Sequence, residues 1–385
     1  MLLRNARIIL PDRILATASL RVRDGCIHEF AESLAPEPGE SAMDLAGKFL
    51  CPGFIDLHVH GALRRDSMEG TPEAFKSICQ YHASGGTTAL ALTTATATSE
   101  AILKVLQAAG SLDPNLTGGA RLLGIHIEGP YFSPEKPGAH QISLIRNPSP
   151  EEYLPWLAYK ERITQMTLAP ELPGSLALIE ALVARGIRAS GGHSDAWDED
   201  AHAAFTHGMR QVTHTYNCMS SARRRGAFRV AGLLEFAMGE PEILCELIAD
   251  GHHVSPTLMR ALYRAKGRDG IALITDAAGG AGLAEGETFE IGEIRGVVRN
   301  GVALISDGSA LCSSTSRMNQ IVRTMTEKVD VPLCEAVQMA TLNPARALGL
   351  EDQLGSLFSG ARADLAVLDE NLEVAMTFVE GQRVY

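Results

Sequence analysis

Short apolar runs alternate with amphipathic stretches through the middle of the chain. Runs of strand length fall at residues 52–60, 87–94, 122–129, 163–170, 187–194, 211–217, 243–251 and 271–277. Helix-like spacing of apolar residues fills most of the gaps, as at 72–84, 99–109, 174–185 and 255–266. Eight strands alternating with helices predict an α/β protein built as a (β/α)8 TIM barrel, with a doubly wound open sheet as the competing architecture. The two ends read differently. Leu20-Arg21-Val22-Arg23, then Asp24-Gly25, then Cys26-Ile27-His28-Glu29-Phe30 predict a hairpin, because both turn positions need positive φ. Ala363-Asp364-Leu365-Ala366-Val367-Leu368 and Met376-Thr377-Phe378-Val379 are also strand-like. The expectation is a barrel over 52–345 and one small β-sandwich domain in which residues 1–51 pair with 346–385, since chain ends often lie close together.

Composition adjusts this picture little. The 385 residues suffice for one large domain and a smaller one. A formal net charge of −12 argues against a nucleic-acid partner or an anionic membrane surface, while leaving room for a small anionic substrate. No apolar run has the length of a membrane span, and charges interrupt the N-terminus before any signal-peptide core. Seven cysteines without a Cys-x-x-Cys pair read as reduced thiols, which predicts a cytoplasmic protein.

The chemistry lies in the polar residues that close the strands. His58 and His60 end the first, Glu128 the third, His193 the fifth, His214 the sixth and Asp276 the eighth. Barrel active sites form at the C-terminal ends of strands, and a random scatter of twelve histidines would not put four there. His58 and His60, two apart on a strand, face the same side. A His-x-His alone describes two packed histidines equally well; its setting at the end of a buried strand favours a shared metal. Glu128 closes an apolar strand, which is costly unless it is paired or bound to a cation. His193 and His214 complete a His/Glu set suited to one or two divalent ions, Zn2+ or Fe2+. His126 shares a face with Glu128 and reads as a further ligand or, the favoured reading, as a hydrogen-bonding support for the ligands. Asp276 is placed to move a proton beside them. Ala278-Gly279-Gly280-Ala281-Gly282, next in the chain, reads as a mobile rim or an ordinary turn.

Several motifs stand in one order: Pro52-Gly-Phe-Ile-Asp-Leu-His-Val-His60, His126-Ile-Glu-Gly-Pro130, Gly192-His-Ser-Asp-Ala196, Thr213-His-Thr-Tyr-Asn217, Ala249-Asp-Gly-His-His-Val254 and Ala340-Thr-Leu-Asn-Pro-Ala-Arg-Ala347. Together they resemble the N-acetylglucosamine-6-phosphate deacetylases of the amidohydrolase superfamily, along nearly the whole chain. The resemblance implies a deacetylase that takes an amino-sugar phosphate, with the galacto epimer or another linear N-acyl compound as alternative substrates. It implies that Glu128, His193 and His214 hold the metal always needed, and that His58 and His60 support a second. It further assigns acid/base work to Asp276 and carbonyl polarisation to His140. Ala139, Asn217, Cys218 and His253 fall at substrate contacts. Arg225 falls where an arginine holds the phosphate, reaching the site of a neighbouring subunit in a homodimer. This chain departs from the family at Cys218, at Arg223-Arg224-Arg225-Gly226 and at Ser313.

Overall fold

The computed structural model describes residues 1–113, 118–291, 294–308 and 310–385. Eight strands form the centre: β1 (Phe54–Val59), β2 (Thr87–Thr93), β3 (Arg121–Glu128), β4 (Ile163–Leu168), β5 (Arg188–Gly191), β6 (Gln211–Val212), β7 (Leu244–Ile248) and β8 (Ile271–Ile274). They hydrogen-bond in sequence order, each parallel to the next. The ring closes where Val59 bridges Ala277 and the Asp276 N–H donates to the His58 carbonyl at 2.9 Å. Helices fill every gap, among them Pro72–Ala83, Ser99–Ser111, Ser175–Val183 and Pro256–Lys266. A (β/α)8 barrel is therefore what the alternating pattern encodes.

The strands read as apolar runs because helices cover them outside and the barrel fills within. All seven residues of β2 are buried, as are all six of β1. Burying a side chain such as Phe54, Leu57 or Val59 contributes about 1.5–3 kcal/mol. That gain offsets an unusual cost, for the barrel interior is polar: Asp56, His126, Gln165, Thr167, Ser190, Gln211 and Glu246 are all fully buried. Each finds a partner, as a buried polar group must. Asp56 accepts from the Thr275 hydroxyl at 2.6 Å, and His126 contacts the hydroxyls of Thr93 at 3.3 Å and Thr167 at 2.7 Å.

Both chain ends meet in a second eight-stranded sheet, as the hairpin and terminal patterns predict. Leu365–Leu368 pairs antiparallel with Phe49–Pro52, which lies beside Leu2–Ile9. Ile14–Arg23 and Cys26–Ala31 form the hairpin, with Asp24 at φ 51° and Gly25 at φ 76°. A bridge from Cys26 to Arg362 returns the sheet edge to the segment before Leu365–Leu368, so the sheet folds over a core including Leu3, Ile8, Leu20, Leu50, Leu365 and Phe378.

One element lies outside the sequence-based expectation. After β8 the chain builds an antiparallel four-stranded sheet from Thr288–Ile291, Ile294–Arg299, Val302–Ile305 and Leu311–Ser313. The glycine-rich stretch before it is a buried turn, not a mobile rim. Ala278 and Ala281 are fully buried, and the carbonyls of Gly279 and Ala281 accept from Arg64 and Leu63 at 2.7 and 2.8 Å. Gly280 gives the Phe289 ring its place, since a Cβ there would meet the ring at 2.7 Å.

Candidate metal centre and active site

Glu128 ends β3 and is buried, with its two oxygens facing different histidines. Oε1 lies 3.1 Å from His214 Nε2 and 3.4 Å from His193 Nε2. Oε2 lies 3.2 Å from His60 Nε2 and 3.6 Å from His58 Nε2. The carboxylate thus joins two groups of ring nitrogens, and within each pair the Nε2 atoms face one another, at 3.1 Å for His193–His214 and 3.2 Å for His58–His60. Strand ends set this geometry. His60 follows β1 directly, and His193 and His214 sit two residues past the ends of β5 and β6. His193, His214 and Asp276 all adopt left-handed backbone conformations, at φ 48°, 29° and 49°. For non-glycine residues these are uncommon and cluster at functional sites.

Does this donor set fit a divalent cation? The hydrogen-bond partners of the rings answer. His193 Nδ1–H donates to the Lys136 carbonyl at 2.9 Å, and His58 Nδ1–H to Glu246 Oε2 at 3.3 Å. Each ring therefore turns an Nε2 lone pair towards Glu128, which itself has only lone pairs to offer. With the rings neutral, acceptors converge on acceptors at this depth, and a divalent cation would relieve that as protons otherwise must. The residues fit the group. His140 differs. The Thr96 N–H donates to its Nδ1 at 3.2 Å, so its Nε2, 3.5 Å from Glu128 Oε2, carries the hydrogen and acts as a donor. Burial pushes His140 down to about 4, which keeps that donor neutral.

In the metal-free protein, protons must compensate the carboxylates. Burial lowers His60, but Asp276 and Glu128 outweigh it and hold His60 up at about 9. Burial likewise lowers His193, but Cys218 and Glu128 hold it up at about 10. Raised histidines stabilise the fold fully below their unfolded value of about 6.5, and that stability is lost as pH rises through the folded values. The Tm of chelated protein is therefore expected to fall between about pH 6.5 and 10. Metal-loaded protein, whose ligands are already deprotonated, should show no such fall. Thermal unfolding across that range with and without chelator checks this; a chelated Tm that stays level or rises would contradict it.

Asp276 completes the rim, its Oδ1 3.3 Å from His60 Nε2 and 3.5 Å from His58 Nε2. The neighbouring histidines overcome its burial and hold it well below the usual carboxylate range, so it stands ionised. Its backbone is pinned on both sides. The Ser314 N–H donates to the Asp276 carbonyl at 2.9 Å, and the Ser313 hydroxyl donates to the same oxygen. Ser313 thus helps to hold the Asp276 turn.

Above these residues opens a cavity with about 850 Å³ of empty space, the open solvent at its mouth included. His60, Glu128, Ala139, His140, His193, His214, Asn217, Cys218, His253 and Asp276 all line it. His58 lies deeper, beneath His60, and His126 deeper still among threonines. Ile291, Ile294, Leu311, Cys312 and Ser313 of the four-stranded sheet form one wall. Among the described lining residues none is Lys or Arg. His253 is held by Asp250, whose Oδ2 accepts from its Nδ1 at 2.7 Å; burial opposes its charge but Asp250 outweighs this and raises it.

Arg225 is not brought into this cavity. It lies on the exposed hairpin Arg223–Arg225 with Phe228–Val230, donates to Glu199 at 2.6 Å and shares the Trp197 face with Arg223. The sequence reading also passed over Glu246, Asp250 and Thr96. Glu246 carried the same signal as Glu128, a carboxylate within an apolar strand; Asp250 sat three residues before His253.

Comparison with known proteins adds independent findings. Residues 49–384 match the model of the amidohydrolase family. The chain is 35% identical over 356 residues to an N-acetylglucosamine-6-phosphate deacetylase of Vibrio furnissii, covering 92% of this chain and 87% of that protein. It is 34% identical to an N-acetylgalactosamine-6-phosphate deacetylase of Escherichia coli O157:H7, covering 99% and 98%. Among solved structures, a variant N-acetyl-D-glucosamine-6-phosphate deacetylase of Mycobacterium smegmatis in complex with N-acetyl-D-glucosamine-6-phosphate aligns with TM-score 0.92 and 30% identity, covering 100% of this chain and 99% of that one.

Proposed function

The chain belongs to the amidohydrolase family and, within it, to the N-acetylglucosamine-6-phosphate deacetylases; from that premise we propose that it hydrolyses the acetamide of an N-acetylhexosamine 6-phosphate, releasing acetate and the amino-sugar phosphate. The observation that carries the reading is the Glu128 carboxylate joined to four histidines, with an ionised Asp276 beside it in a cavity. Glu128, His193 and His214 would hold one divalent ion, and His58 and His60 with Glu128 a second. When bound, the metal supplies Lewis acidity, polarising the carbonyl and lowering the pKa of water. Asp276 accepts a proton from the attacking water on Oδ1 and returns it to the departing amine nitrogen. His140 donates its Nε2–H to the acyl oxygen as negative charge develops there. The fourth barrel strand, Ile163–Leu168, has no lysine to act as a metal ligand, so Glu128 would supply the anionic ligand of the centre.

Asn217, Cys218, Ala139 and His253 would contact the sugar phosphate. Arg225, outside the cavity of its own chain, would meet the phosphate only in the site of a second copy, as in a homodimer; Phe228 on the same hairpin is 75% exposed, as an interface residue of a free chain would be. The seven unpaired cysteines support a cytoplasmic protein. The gluco and galacto relatives are equally similar, at 35% and 34% identity, so both epimers belong in the test. Amine release is measured on N-acetylglucosamine 6-phosphate, N-acetylgalactosamine 6-phosphate and unphosphorylated N-acetylglucosamine. A phosphorylated sugar is expected to be turned over far faster than the free one. Activity on none of the three would refute the substrate reading.

A further inference from the structure

Glu246 lies inside the barrel on β7, fully buried and outside the cavity wall. Its Oε1 accepts from Gln165 Nε2 at 2.8 Å and from Gln211 Nε2 at 2.6 Å, while Oε2 faces His58 Nδ1 at 3.3 Å. Gln211 is itself oriented from below, because Arg188 Nε donates to its Oε1 at 2.7 Å. Hydrogen bonds thus run from Arg188 through Gln211 and Glu246 to His58. On each side one ring is held and the other is not: His60 Nδ1 and His214 Nδ1 both lack a hydrogen-bond partner among the described residues, while His193 rests on a main-chain carbonyl and His58 alone rests on a side-chain carboxylate.

From this asymmetry we infer that Glu246 is a positioning residue that makes His58 a metal ligand and thereby governs occupancy of the His58–His60 side. The inference rests on the metal-centre reading above and deepens it. Its logic is one of tautomers. Glu246 can only accept, so His58 must carry its hydrogen on Nδ1 and leave Nε2 free to bind. In Glu246→Gln the new amide has two orientations, and each carries a penalty. Turned with its NH2 to His58, it donates to Nδ1, moves the ring hydrogen to Nε2 and closes the ligand atom. Turned the other way, it sets that NH2 against the NH2 groups of Gln165 and Gln211.

The experiment is a Zn2+ titration of the full chain, with bound metal counted per chain. Wild type is expected to take two ions. Glu246→Gln should keep one at the wild-type Kd and bind the other about 10–100-fold more weakly. His58→Ala should lose that same ion, and combining it with Glu246→Gln should add nothing, which a merely structural role of Glu246 would not produce. Should Glu246→Gln fail to fold, Gln165→Ala gives the same reading with a smaller shift, again on one ion alone. The inference is overturned if wild type takes one ion, if Glu246→Gln binds both at wild-type Kd, if both ions weaken together, or if the Glu246 and His58 effects add. Deacetylation is assayed on the same samples. Inactive protein with the expected Zn2+ pattern would remove the substrate reading and support this one.

Discussion

Asp276→Asn is expected to lower kcat by roughly 10²–10⁴-fold, the usual worth of a positioned proton carrier, or about 3–5 kcal/mol in the barrier. The substitution is nearly isosteric, and asparagine tolerates the left-handed φ of 49° at this position as well as aspartate does. The main-chain bonds that fix the turn, to the His58 carbonyl and from Ser314, involve no side-chain atom of Asp276 and should persist. What disappears is a basic oxygen 3.3 Å from His60 Nε2. Metal content and Tm should therefore stay near wild type while turnover collapses. Single-turnover kinetics with metal analysis on the same sample check this. Undiminished kcat would take Asp276 out of the mechanism, and a loss of metal in step with activity would make it a ligand.

Glu128→Gln should have the larger effect. Both oxygens of Glu128 are in use, one towards His193 and His214 and the other towards His58 and His60. An amide keeps one oxygen and turns an NH2 towards the remaining pair, so whichever way it sits one side loses its anion and faces a donor. The shared negative charge is gone from both sides. Activity is expected to approach the uncatalysed rate, roughly 10⁶-fold or more below that of a typical enzyme. The stabilisation that bound metal gives the fold should vanish with it, so added Zn2+ should no longer raise Tm. A variant that still binds Zn2+ at the wild-type Kd would show that Glu128 is not a metal ligand.

What could be read from the sequence, and what could not, follows from how each feature is encoded. Strands covered on both sides announce themselves as apolar runs, so all eight barrel strands were placed within a few residues. The largest error is at β6, expected over 211–217 but ending at Val212, because His214 and Tyr216 turn the backbone to positive φ. The candidate ligands are legible because each interrupts or closes an apolar run at the same end of the barrel. Glu246 shows in the sequence as a carboxylate within an apolar strand, but its role does not: only the three-dimensional meeting of β4, β6 and β7 brings Gln165 and Gln211 to it. The four-stranded sheet after β8 left no periodic trace strong enough to separate it from the glycine-rich turn that precedes it. Arg225 illustrates a further limit, since its neighbours Glu199 and Trp197 come from another part of the chain.

The three left-handed residues bear on how this protein can be improved. A non-glycine side chain in that conformation costs about 1–2 kcal/mol, and His193, His214 and Asp276 each carry it. Glycine at any of the three would relieve the backbone and abolish the chemistry. At His193 and His214 the lost metal stabilisation opposes that relief, but at Asp276 nothing of the kind does, so a library screened for heat resistance alone would drift towards inert barrels at this codon and activity has to be selected in every round.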